Sequence, residues 1–212
     1  MLEKDASLEG LEIGALNASE VQEAMNVIVR GMRDNPLHVA AFGDDPEIRQ
    51  RKLHALMSAE FTLGHRFSNT LAARREDGRI VGVCGVIPPG ECRPGLRPRL
   101  LPTLLRLGPR SAGRVVRWLG LWGKHDPKER HWHVGVLAVD QHLQGMGIGS
   151  KLIRVFCAQM DAAGEDAYLQ TDKPANIHFF EIFGFAVVGV EEACGVPNWF
   201  MLRRSKRRSR IV

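Results

Sequence analysis

The segment Gln144-Gly145-Met146-Gly147-Ile148-Gly149 lies between an apolar, strand-like run (Val134 to Val139) and an amphipathic helical pattern that begins at Ser150. No other stretch limits the architecture of the chain as much. Glycines at alternate positions let the backbone turn tightly and aim successive N–H groups at one point. The helix that follows adds its own unsatisfied N–H groups and the positive end of its dipole. Strand, glycine turn and helix start together predict a cradle for a phosphate or pyrophosphate.

Two common nucleotide loops do not fit. A dinucleotide fingerprint needs Gly-x-Gly-x-x-Gly, but the last position of that frame is Ser150, and too little chain follows for a second nucleotide half. A triphosphate-binding loop ends Gly-Lys-Ser/Thr, whereas this one ends Gly149-Ser150-Lys151.

Downstream, Leu152, Ile153, Phe156 and Met160 recur at helical spacing, and Gly164 is the expected stop. A short strand over Ala167 to Thr171 follows. Pro174 then opens a second helix reaching Phe183, closed by Gly184-Phe185, and two strands are expected around Ala186 to Val190 and Trp199 to Leu202. With these residues in view, the chain resembles the GCN5-related N-acetyltransferase (GNAT) superfamily. Gln144, Gly147 and Gly149 meet its acyl-CoA signature Gln/Arg-x-x-Gly-x-Gly/Ala. Leu137-Ala138-Val139 looks like the family's bulged strand beside the pantetheine arm, and Phe179 to Phe185 is similar to its Phe-Tyr-x-x-x-Gly-Phe helix end. The resemblance is carried by residues 131–203.

The resemblance implies an α/β fold: a single mixed-sheet acyl-CoA N-acyltransferase domain over 1–203, with a helical insertion over 88–130 and a basic tail over 204–212. Acetyl-CoA would be the acyl donor and no metal would be needed. Its contacts would come from Leu137, Ala138 and Val139, from Gln144, Gly145, Met146, Gly147, Ile148, Gly149 and Ser150, and from Asn176 and Phe180. An amine would attack the thioester directly in a ternary complex. Two positions depart from the family pattern. Phe180 stands where a tyrosine often protonates the leaving thiolate, and Lys173 where many members carry an asparagine; Asn176, three residues on, can contact CoA or cap its helix. The only tyrosine, Tyr168, is on the preceding strand.

A general base must reach the amine directly or through one water. His131 and His133 flank Trp132 at the start of the central strand, and alternation puts both on one face. His133, then His131, are the candidates; the plain alternative is a strand-edge histidine bonded to a loop. Asp140 more simply shapes a turn, His178 and Glu181 read as solvated or capping, and His142 as surface. Cys84, Cys92, Cys157 and Cys194 are scattered without metal spacing, and no Gly-x-Ser-x-Gly elbow occurs.

Dispersed cysteines, no signal-like start and no apolar run of the roughly 18 residues needed to span a bilayer argue for the cytoplasm. The net charge of +5 is concentrated at one end: residues 203–210 hold six basic residues, and without them 23 basic residues face 24 acidic ones. Such a tail can bind nucleic acid or anionic membrane but reads here as solvated. Upstream, the pattern gives a strand from Gly10 to Ala15, a helix capped near Asn17 or Ser19 and broken at Asp34-Asn35-Pro36, a loop to Asp45, and a helix from Pro46 to Gly64. Two strands follow, joined by a hairpin at Glu76-Asp77-Gly78. The insertion has apolar stripes (Leu100, Leu101, Leu104, Leu105, Leu107; Trp118, Leu119, Leu121, Trp122) and solvated arginines at 97, 99, 106, 110, 114 and 117. It is expected to fold over the acceptor cleft. The expected activity is acetyl transfer to the amine of a small molecule, with protein amines open, a homodimer admitted, and a CoA-binding module without turnover as the rival.

Overall fold

The computed structural model describes residues 10–62, 69–91 and 100–206. Seven strands form one sheet: β1 (Glu12–Ala15), β2 (Leu71–Arg74), β3 (Ile80–Ile87), β4 (Trp132–Val139), β5 (Ala167–Thr171), β6 (Ala186–Ala193) and β7 (Val196–Arg203). Their order is β1-β2-β3-β4-β5-β7-β6, and only the β4–β5 pair is parallel. Helices α1 (Val21–Met32), α2 (Pro36–Phe42), α3 (Pro46–Thr62), α4 (Leu101–Leu107) and α5 (Pro109–His125) cover one face. Helices α6 (Ile148–Ala163) and α7 (Pro174–Glu181) cover the other. β3 is buried along its whole length, as a strand covered on both faces must be.

The elements begin and end where local chemistry directs. Asn17 and Glu20 form a capping box at the 3₁₀ turn before α1. Gly78 takes φ +79° in the expected hairpin, and Gly164 ends α6 in the left-handed conformation. α1 lies close against β4 because Gly31 has no Cβ; one placed there would stand 2.4 Å from the Val139 carbonyl oxygen.

Three expectations need correction. The segment after α1 is no plain loop, because Pro36 occupies the first turn of α2, where its missing N–H costs nothing. Leu101 and Leu105 face outward, while Leu100, Leu104 and Leu107 enter the core. Residues 204–206 are docked rather than loose: Arg204 pairs with Asp166, and the N–H groups of Ser205 and Lys206 donate to Asp166 and Asp161. Arg106, Arg110, Arg114 and Arg117 are exposed as expected. Cys92, Arg97, Arg99, the end of the Pro46 helix at Gly64 and the tail from Arg207 lie outside the described residues.

Candidate active site

β4 and β5 run side by side only where Trp132 to Val134 face Ala167 to Leu169. Beyond Val134, β4 keeps β3 as its strand neighbour while β5 continues along β7, so a wedge opens in the middle of the sheet. Gly135 is an extra residue on β4: Val134 pairs with Val86 and Val136 with Gly85. Such a bulge interrupts side-chain alternation. Val136 and Ala138 thereby join the core under α1, while Val134, Leu137 and Val139 pack on the α6 side.

Two clefts meet in the wedge. The larger, about 390 Å³, is bounded by Leu137 and Val139, by the loop and helix start (Gln144, Gly145, Gly147, Ile148, Gly149, Ser150), and by Asn176 and Phe180 of α7. The smaller, about 70 Å³, is walled by Leu37, His38, Trp118, Trp122 and Asp172. Met32, Asn35, Leu137, Asn176 and Phe180 border both.

The loop holds its donors open. Gly145 and Gly147 take φ of +80° and +85°, a region that favours glycine. Gly149 is different: a Cβ there would meet nothing nearer than Val139 Cγ2 at 3.7 Å, so the protein itself does not require glycine at that position. What its absent side chain leaves clear is space in the cleft. As the first helical residues, Ile148, Gly149 and Ser150 have N–H groups without an intrahelical partner. On β4, the Asp140 N–H donates to the Val81 carbonyl at 2.9 Å. Strand alternation then turns the N–H groups of Leu137 and Val139 away from β3, toward the cleft. Lys173 adds a cationic side chain to the border of this cleft.

Not every expected residue lines it. Ala138 is 3% exposed, in the opposite core layer. The Met146 N–H is directed at the Leu143 carbonyl at 3.4 Å, and its side chain does not border the cleft. Gln144 directs its side-chain amide to the carbonyls of Gly31 and Val139, at 3.1 and 3.2 Å. Asn176 donates to Thr171 Oγ1.

The central-strand histidines are set apart from both clefts. His131 and His133 do share a face, but it is the buried one, against Tyr168 at 5.4 Å from each ring. They are 5% and 3% exposed and border neither cleft. Burial opposes charge on His131, but the Asp126 carboxylate and Glu129 carbonyl outweigh it and raise its pKa. Tyr168 donates its hydroxyl to the His125 carbonyl at 2.9 Å and likewise borders neither cleft. Burial alone would raise the Asp140 carboxyl, but hydrogen bonds from Arg30 and its charge hold it below the usual carboxylate range. His178 and Glu181 form an exposed pair on α7. Cys157 is buried, which pushes its thiol up to about 11. Among the described residues no group of His, Cys, Asp and Glu is arranged to hold a metal, and no helix is long and apolar enough to cross a membrane.

Sequence reasoning pointed to the segment Asp34 to Asp45 as a seat of acceptor specificity but singled out neither His38 within it nor Asp172 across the smaller cleft. His38 lies about a hundred positions before the glycine loop, and the local signal near it was Asn35-Pro36, a start for the helix that carries it.

The profile of the Acetyltransferase (GNAT) family matches residues 36–185. Among solved structures, the chain is similar to a Corynebacterium glutamicum protein described as histone acetyltransferase HPA2 and related acetyltransferase. That pair shares 19% identity, covers 92% of this chain and 97% of the other, and has a TM-score of 0.69. It is similar to the Drosophila melanogaster polyamine N-acetyltransferase at 13% identity, covering 92% and 99%, with a TM-score of 0.63. A GNAT-family acetyltransferase from Brucella melitensis, solved with acetyl-CoA, aligns at 17% identity over 92% and 87%, with a TM-score of 0.53. With its matched residues spanning α2 to the end of the α7 segment, this chain belongs to the GNAT family of acetyl-CoA-dependent acyltransferases.

Proposed function

We propose that the protein transfers an acetyl group from acetyl-CoA to the amine of a small molecule, by direct attack in a ternary complex. The observation that carries this reading is the wedge between β4 and β5, where a donor cleft and a narrow second cleft share Leu137 and Phe180. A thioester at that junction is reachable from both sides. The free N–H groups of Ile148, Gly149 and Ser150 face the pyrophosphate, those of Leu137 and Val139 face the pantetheine arm, and the acceptor enters past Trp118 and Trp122 of the insertion. The narrow bore of the second cleft favours a small amine over a folded protein surface.

Residues 1–203 form the catalytic unit of this reading. Exposed valines on the edge strand β6 (Val187, Val188, Val190) support a homodimer, and the free buried thiols of Cys84 and Cys157 support a cytoplasmic location. The second reading, a CoA-binding module without turnover, is favoured by Phe180, which has no proton to give the leaving thiolate. Calorimetry with acetyl-CoA on wild type and Gly147→Trp, with NAD as control, tests the donor cleft. Thiol release over an amine panel then separates enzyme from binding module. Well-folded wild type that binds no acetyl-CoA refutes both readings.

A further inference from the structure

His38 stands on the acceptor side of the wedge, and neither the donor cleft nor the central strand accounts for it. It is 3% exposed and borders the smaller cleft together with Asn35, Trp118 and Asp172. Its Nδ1 lies 2.7 Å from the Met32 carbonyl oxygen. A carbonyl can only accept, so Nδ1 carries the proton, and the neutral ring keeps its lone pair on Nε2. Among the described residues Nε2 has no hydrogen-bond partner.

The ring is held in place. Trp118 packs against it at 5.4 Å and Phe42 at 6.2 Å. The Leu37 N–H donates to Asp172 Oδ2 at 2.7 Å, which ties the start of α2 to the turn after β5. Imidazole and carboxylate therefore border one narrow space whose other walls include two tryptophans.

We infer that His38 is the base that takes the proton from the acceptor's ammonium group at Nε2, a step that rests on the acyltransfer reading above. The ammonium gives one proton to Nε2 and becomes a free amine. Its nitrogen lone pair attacks the thioester carbonyl carbon, forming the C–N bond. The C–S bond then breaks, and sulfur leaves with the electron pair. The second nitrogen proton goes to sulfur, giving an amide and CoA thiol. His38 returns its proton to solvent, so one proton is released per turnover of an ammonium substrate.

The charges around the ring suit this role. Burial pushes the imidazole below its usual value. The hydrogen bond to the Met32 carbonyl and then the charge of Asp172 oppose that shift without cancelling it, while Lys173 from the same turn and Arg49 from α3 reinforce it. Its ring neighbours on α2 and α5, Phe42 and Trp118, carry no charge. His38 is thus a neutral acceptor at pH 7, whereas His131 is drawn toward its charged form by Asp126. Tryptophan walls also favour an ammonium carried on a slender apolar body.

His38→Asn tests the inference, because the asparagine amide can still donate to the Met32 carbonyl while the Nε2 lone pair is gone. Acetyl-CoA binding is measured by calorimetry, and turnover with 2-phenylethylamine, agmatine and spermidine by thiol release from pH 5 to 10. Acetyl-CoA affinity is expected to stay within about threefold, since His38 does not border the donor cleft, while kcat/KM at pH 7 falls about 100-fold or more. In wild type, log kcat/KM rises with unit slope to a plateau by neutral pH. In the variant that plateau disappears, and the rate climbs toward the pKa of the amine itself. Nitrogen-15 NMR of wild type should show His38 protonated at Nδ1 and bare at Nε2. An active wild type with an equally active His38→Asn variant and an unchanged profile overturns this inference alone, as does a proton on Nε2. A wild type that neither binds acetyl-CoA nor releases thiol overturns the underlying reading, and this inference with it.

Discussion

Replacing Gly31 with alanine sets two effects of opposite sign against each other. Gly31 is inside α1, and in an open helix alanine is better than glycine by about 1 kcal/mol. Here the new Cβ would be 2.4 Å from the Val139 oxygen, 3.2 Å from its carbonyl carbon and 3.3 Å from its nitrogen. Ordinary contact begins near 3.4 Å, so α1 and β4 must part by 1.0 Å at this point. Overpacking of that kind costs about 1–3 kcal/mol. The separation also stretches both hydrogen bonds from Gln144, to Gly31 and to Val139, each worth about 1 kcal/mol. The clash outweighs the propensity gain, and Gly31→Ala should lose about 2–3 kcal/mol, or about 5–10 °C in Tm. Urea denaturation should show a lower midpoint at constant m, and calorimetry a weaker acetyl-CoA interaction, because Gly31 and Val139 both border the donor cleft. Gly113→Ala in α5, where a Cβ meets nothing within 4 Å, is the control and should gain about 1 kcal/mol. If Gly31→Ala stabilises the protein as much as Gly113→Ala does, the close packing of α1 on β4 is refuted.

Other perturbations probe separate parts of the structure. Gly147→Ala forces a side chain into φ +85°, so stability should fall by about 1–2 kcal/mol and acetyl-CoA affinity at least tenfold, both measurable on one sample. Hydrogen bonds from Arg74 hold the Glu20 carboxyl at about 2 instead of 4.5. A depressed folded-state pKa stabilises above the unfolded value, so the margin of about 1 kcal/mol over Glu20→Gln should be full above pH 4.5 and vanish as pH falls toward 2; a margin independent of pH would contradict this. Arg203 is 4% exposed and bonds the Phe183 carbonyl and Asp161. Arg203→Met should cost about 3 kcal/mol by denaturation, and adding Asp161→Asn should recover part of the loss.

Where a sequence signal was local, the fold was legible. β5 was readable from one β-rich run, the β2–β3 hairpin from Asp77-Gly78, and the end of α6 from Gly164. The donor loop was legible for the same reason: strand, glycines and helix start are contiguous. The smaller cleft, the proposed acceptor side, is walled by α2, α5 and the turn after β5, so no single window contains it. α2 was hidden because Pro36 signals both the break after α1 and the first turn of the next helix. The two central-strand histidines show a subtler limit. Alternation placed His131 and His133 together, and continued unbroken it would have put them on the side of Leu137 and Val139. Gly135 inserts one extra residue and reverses the faces partway along the strand. A bulge changes which side of the sheet a residue serves without changing the pattern of residue types.

Gln144 bonds one carbonyl at the end of α1 and another at the end of β4. One residue beyond Gly31, the Met32 carbonyl holds His38. A single side-chain amide therefore joins the floor of the donor loop to the segment that aims the acceptor-side imidazole. Opening of residues 31–38 requires that amide to let go, and a ligand seated on residues 145–150 restrains it from below. Backbone hydrogen exchange across 31–38 should slow when acetyl-CoA binds, although the donor cleft is bordered there only by Gly31, Met32 and Asn35. On the proposed reading, a donor bound at the glycine loop thereby stiffens the wall of the second cleft that carries His38.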